Sequence, residues 1–149
     1  LLRNDLGRSC VPGRIYVDRL FEVQSFPTVH HLVSTVSGEL RQDRGPCELL
    51  RDSFPGGSIT GAPKRRAMEI IAELEPHSRE IYCGSVFYIS ADGRMDSNIA
   101  IRTLLCDRGE IHCWGGGGIV ADSQWQREYQ ETFDKVGKFL RVLETFGKH

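Results

Sequence analysis

The sequence lacks an apolar run long enough to cross a membrane, and no charged, then apolar, leader opens it. A cytoplasmic location is therefore expected. It also lacks an excess of either charge: 19 Lys and Arg stand against 20 Asp and Glu, a net charge of −1. That excludes the basic surface of a nucleic-acid binder and the composition of a disordered acidic tail. No CxxC pair occurs, and the five cysteines (Cys10, Cys47, Cys83, Cys106 and Cys113) are odd in number. Reduced thiols are a simpler reading than a disulfide framework or a zinc site. Repeats and low-complexity segments are missing as well.

What is present is ordinary globular material. The 149 residues are 40% hydrophobic and 9% aromatic, enough for one domain or a piece of a larger one. The chain opens at Leu1, without Met, in the middle of a pattern (LLRNDLGR). It is expected to be a cut through a larger sequence, with an incomplete active site.

Periodicity sets out the elements. Residues 14–24 alternate β-branched and aromatic positions and predict a strand, and residues 31–40 predict another, although residues 28–34 could start as a turn. A short helix is expected over Pro46–Arg51. Pro63 suits a first helical turn, Met68, Ile71, Ala72 and Leu74 follow helical spacing, and Pro76 closes that helix. Three β segments follow, over 81–90, 95–106 and 110–113, joined by tight turns at Asp92-Gly93 and Asp107-Arg108-Gly109. A long helix is predicted from about Ser123 to Phe146, capped by Asp122 or Ser123. Strands in hairpin order with separate helices indicate an α+β fold, antiparallel sheets with flanking helices.

Chemistry concentrates near the end. Gly115–Gly118 follow a strand directly, and backbone without Cβ atoms can approach a ligand and aim several N–H groups at a carboxylate or phosphate. A flexible turn is the plain alternative, and the spacing is not that of a dinucleotide fingerprint. On the last helix Glu128, Glu131 and Lys135 fall within an arc of roughly 60°. Two carboxylates one turn apart suit a hard cation, and a lysine one turn on suits the anionic end of the same ligand. Spacing alone favours a solvated face, with Phe133, Val136, Phe139, Leu140 and Leu143 as a separate apolar stripe.

Arg102 sits in a strand-like run and needs a partner, either a bidentate ligand carboxylate or a structural acid. His31 reads as a core histidine or a general acid/base, one of the adjacent pair His30 and His31 pointing inward. Ser58 lies in a glycine-containing loop before a helix; Lys64, Arg65 and Arg66 read as surface charge.

Six segments taken together (LLRNDLGR, HHLVSTVSGEL, FPGGSITGAPKRRAMEIIAELEP, IYCGSVFYIS, GRMDSNIAIRTLL and GGGGIVADSQWQREYQETFDKV) resemble the C-terminal half of the chorismate-binding domain. Anthranilate, aminodeoxychorismate, isochorismate and salicylate synthases share that domain. The resemblance covers nearly the whole of residues 1–149, and its details lean toward the aminodeoxychorismate branch, with anthranilate synthesis or a non-catalytic fragment as alternatives.

The resemblance implies Glu131 as a direct Mg²⁺ ligand and Glu128 as its acidic neighbour. It puts Lys135 near the carboxylate held by the metal, and Arg102 and Tyr82 on the enolpyruvyl carboxylate. Gly116, Gly117 and Gly118 would supply N–H groups to a carboxylate, His31 would lie near the ring carbon that loses its hydroxyl, and Ser58 would line the pocket. Ammonia would come from a glutamine amidotransferase subunit, and the nucleophilic lysine would lie before Leu1. Departures from the family pattern are Glu80 and Phe87 in place of glycines, Asp52 where an alanine is common, and Trp114-Gly115 in place of two small residues.

Overall fold

The computed structural model describes residues 1–26 and 29–146. It combines helices with three separate two-stranded sheets, the mixed architecture expected from the hairpin order. The chain forms two compact units, one of Leu1–Leu74 with Ile89–Met95, the other of Glu75–Tyr88 with the residues from Asp96 onward.

In the first unit, α1 (Leu2–Leu6) leads into β1 (Cys10–Phe26), which pairs antiparallel with β2 (Val29–Leu40). The ribbon is longer than the alternation suggested. Register breaks between Cys10 and Ile15, and again on either side of Arg19, let it twist. The alternative of a turn at the start of β2 does not hold from Val29 onward; Thr28 lies outside the described residues. Helix α2 (Pro46–Ser53) starts with Pro46 in its first turn, and Glu48 accepts the Gly45 N–H at 2.9 Å. A 3₁₀ turn (Gly57–Ile59) and α3 (Lys64–Leu74) follow, with Pro63 just before the helix and its carbonyl accepting the Ala67 N–H.

Lys64 corrects the surface-charge reading. It is buried, and its Nζ lies 2.8 Å from Asp5 Oδ1 and donates to the Ser53 carbonyl at 2.7 Å. The other Asp5 oxygen accepts the Gly57 N–H at 2.7 Å. An ammonium this deep persists because it is paired with a carboxylate and a carbonyl, and breaking such a pair typically costs about 3–5 kcal/mol. Arg65 and Arg66 are exposed as expected and pair with Glu69. The same unit explains Asp52: its carboxylate accepts the hydroxyl of the fully buried Ser9 at 2.9 Å and lies 3.4 Å from the Arg44 guanidinium.

Beyond α3 the strands are shorter than predicted. The segment 81–90 begins as a turn, and only β3 (Ser85–Ile89) is strand. The run 95–106 breaks into β4 (Met95–Ile99) and β5 (Leu104–Asp107), because Arg102 adopts φ of 52° between them. Strand β6 (Glu110–Cys113) pairs antiparallel with β5 across the expected tight turn, where Arg108 and Gly109 both have positive φ. Helix α4 (Trp125–Phe146) closes the described chain. Its expected apolar stripe is only partly covered: Val136 is buried, whereas Phe133 and Leu140 are exposed.

All five cysteines are free, and among the described residues no helix is long and apolar enough to cross a membrane.

Candidate functional site

Helix α4 carries the two carboxylates beside its one buried residue, Val136. It starts at Trp125 with Gln124, rather than Asp122 or Ser123, in the capping position: the Gln124 carbonyl accepts the Arg127 and Glu128 N–H groups, and the Ser123 hydroxyl is used otherwise. It accepts the Val120 N–H at 3.0 Å and donates to Glu128 Oε1 at 2.7 Å. This ties the preceding loop to the first turn and aims Glu128, whose charge is favoured near a helix N-terminus. One turn on, Lys135 Nζ lies 2.9 Å from Glu131 Oε1 and donates to the Gly116 carbonyl at 3.1 Å.

The glycine loop lies directly over these groups. A Cβ at Gly115 would stand 3.0 Å from both Thr132 Cγ2 and Val136 Cγ1, so the backbone rests flat on α4. A Cβ at Gly117 would stand 3.2 Å from Glu131 Oε2, 3.5 Å from Glu128 Oε2 and 3.7 Å from Lys135 Nζ. Both carboxylates and the ammonium therefore converge beneath one glycine. Gly118 extends beyond them, with no side chain against the position of its missing Cβ. Glu128 and Lys135 are half-buried while Glu131 stays exposed, so the solvated face that spacing alone favoured holds for Glu131 and is only partly covered at the other two.

Tyr82 completes this cluster from another direction. Its N–H donates to the Arg79 carbonyl within the turn before β3. Its hydroxyl oxygen would lie 2.9 Å from a Cβ at Gly116, an approach that glycine alone permits. Burial pushes the Tyr82 phenol up, with the neighbouring Cys83 adding to the shift. The phenol therefore stays protonated through the neutral range and can donate. The buried Cys83 thiol is likewise pushed up by burial, which keeps it an unreactive neighbour.

The structure thus brings together Tyr82, Gly116, Gly117, Glu128, Glu131 and Lys135. Arg102 belongs to the same unit, but its place differs from expectation. It sits exposed in the left-handed bend, and among the described residues no hydrogen bond or ion pair holds its guanidinium. His31 and Ser58 belong to the first unit, His31 half-buried on β2 opposite Gln24 and Ser58 exposed in the 3₁₀ turn. The expectation that His30 and His31 face opposite ways also needs the His30 side chain, which is outside those described. Phe87 is exposed on β3.

Sequence reasoning missed Trp125, Tyr129 and Thr132. With Gly117, Ile119, Ser123 and Glu128 they line a cavity of about 390 Å³. The signal was there: positions 125, 128, 129 and 132 share one helical face.

Among the described residues no three His, Cys, Asp or Glu side chains cluster as a metal cage. Glu128 and Glu131 can hold a hard cation only with oxygens from water or a ligand. Mg²⁺ is commonly held in that way, through one or two carboxylates. The charges agree: two carboxylates and one ammonium sum to −1, and a divalent cation turns the cluster into an anion acceptor.

A family model described as chorismate binding enzyme matches residues 1–141. Aminodeoxychorismate synthase component 1 of Escherichia coli (strain K12) is 58% identical over 144 residues, 97% of this chain and 32% of that protein. Anthranilate synthase component 1 of Streptomyces coelicolor is 50% identical over 141 residues, 95% of this chain and 28% of that protein. Anthranilate synthase component I from Streptococcus pneumoniae matches in structure with a TM-score of 0.79 and 42% identity, covering 89% of this chain and 31% of that chain. The chain spans about a third of the length of these relatives.

Proposed function

Since the chain belongs to the chorismate-binding enzyme family and has its fold, we propose that it supplies the cation- and carboxylate-binding side of a chorismate-aminating active site. The product is 4-amino-4-deoxychorismate, on the way to p-aminobenzoate and folate, and the enzyme works in the cytoplasm. The observation that carries this reading is the convergence of Glu128, Glu131 and Lys135 beneath Gly117.

Chorismate is a dianion, and each of its carboxylates needs donors. Lys135 and the loop N–H groups at Gly116, Gly117 and Gly118 serve the ring carboxylate, with Glu128 and Glu131 holding Mg²⁺ beside it. When bound, the cation would supply Lewis-acid stabilisation of negative charge on that carboxylate as the allylic hydroxyl leaves. Tyr82 donates its phenolic proton to the enolpyruvyl carboxylate, and Arg102 offers its planar fork to the same group. An arginine with no partner among the described residues is suited to that task. By the family resemblance alone, His31 would take the acid/base role at the ring carbon that loses its hydroxyl, and Ser58 would be a substrate-lining hydroxyl.

Ammonia comes from a glutamine amidotransferase partner, as the designation component 1 of the relatives suggests. The aminodeoxychorismate branch is preferred because identity to it reaches 58%, against 50% for the anthranilate synthase above.

The test is Glu131→Gln in the full-length protein, assayed with chorismate, ammonium and Mg²⁺. Loss of the several kcal/mol that a cation supplies predicts a drop in rate of at least about 100-fold. An unchanged rate would remove the cation from Glu131, and anthranilate as the product of the unaltered protein would move the enzyme to the other branch.

A further inference from the structure

Trp114 lies outside the groups that the proposed chemistry uses. It follows β6 directly and is half-buried. Its indole stacks on the Tyr82 ring with centroids 6.4 Å apart and planes only 6° from parallel. His112 covers it as well, at 5.8 Å and 29°. Trp114 thus contacts both rings, and the Tyr82 hydroxyl reaches within 2.9 Å of the position where a Gly116 Cβ would be. From the opposite chemical side, Lys135 holds the Gly116 carbonyl at 3.1 Å.

The backbone alone does not fix where the Tyr82 ring points. Tyr82 lies in a turn in which Glu80 and Cys83 both adopt positive φ, and a ring on such a turn has open rotamers unless packing selects one. Parallel offset stacking selects an orientation, and aromatic pairs contribute beyond their buried area. A half-exposed residue that only filled space would need no such alignment with the one phenol touching the glycine loop.

We propose that Trp114 is a positioning residue: it fixes the Tyr82 ring, and through the Tyr82 hydroxyl the Gly116 segment, in the arrangement that receives a carboxylate of chorismate. This rests on the role given to Tyr82 above. Because Trp114 acts through the Tyr82 ring, its effect falls on substrate binding rather than on the chemical step.

The test uses the full-length protein. Trp114→Ala raises KM for chorismate by roughly three- to tenfold, the factor that a stacked pair is worth, with kcat changed less than about twofold. Trp114→Phe keeps a ring and restores KM to within about twofold, whereas Trp114→Leu, which fills the volume without a π face, does not. In a Tyr82→Phe background Trp114→Ala has no further effect, since the hydroxyl that it positions is gone. Additive effects, or rescue by Leu equal to that by Phe, overturn the proposal.

Hydrogen exchange of the peptide spanning Gly115–Gly118 gives a readout independent of substrate. Faster exchange in the Ala and Leu variants, but not in the Phe variant, supports the positioning role; equal exchange in all of them overturns it. If Tyr82→Phe leaves KM unchanged, the substrate role of Tyr82 fails, while the exchange measurement still decides what the stack does.

Discussion

At position 80 a glutamate holds φ of 46°, in the left-handed region that glycine adopts without strain. Glycine is the residue that this turn geometry suits. Glu80 is exposed, and among the described residues its carboxylate has no hydrogen bond or ion pair to offset the strain. Glu80→Gly is therefore expected to stabilise the full-length protein by about 1 kcal/mol in urea unfolding; an unchanged or lower stability would show that the turn carries no strain. Other single residues divide in the same way between local and distant causes. Lys64 reads as a surface cation from its neighbours Arg65 and Arg66, and it is Asp5, 59 positions earlier, together with the Ser53 carbonyl that makes its burial tolerable. Gly117 reads as one of four equivalent glycines until the carboxylates beneath it are seen.

Among the elements, α2 shows how a misplaced charge can be useful. Asp52 lies in the last turn of this helix, where the helix dipole disfavours an acid. The hydrogen bond from the Ser9 hydroxyl nevertheless holds its carboxyl below the usual range, with Arg51 and Arg44 adding to the effect. The Gly45 N–H does the same for Glu48 at the other end. A carboxyl whose pKa is lowered by folding contributes stability above its unfolded value, and that share is lost as the pH falls through the folded one. Stability should thus decline on acidification from about pH 5, and Asp52→Asn should flatten the decline without removing it, because Glu48 still titrates. Urea midpoints measured across that range check this; an identical slope in the variant would mean that Asp52 is not linked to folding. Helix α4 offers a different lesson. Its periodicity separates a charged face from an apolar one, yet the charged face is the one that the glycine loop covers. Local pattern gives the faces of a helix, not which of them is packed.

For the whole molecule the balance of buried and exposed surface is informative. Among the described residues only Cys10, Cys83, Ala100 and Val136 are buried apolar residues, while Phe21, Leu32, Ile119 and Trp125 are each at least 67% exposed. So much uncovered apolar surface is a liability for association. The 149 residues alone are expected to self-associate and to show no turnover with chorismate, Mg²⁺ and ammonium. Light scattering and product analysis check both, and clear product formation would refute the second. The sequence by itself determined the α+β character, the hairpin turns, the long final helix and the family, since these rest on period, turn chemistry and segments in a fixed order. It also placed Glu128, Glu131 and Lys135 on one arc. Only the tertiary structure decided that Gly117 closes over that arc, that Tyr82 reaches Gly116 beneath the Trp114 ring, that Arg102 leaves the strand, and that Lys64 is buried on Asp5. Each of these is a contact between residues far apart in the chain, or a backbone bend set by such contacts, and local periodicity carries no record of them.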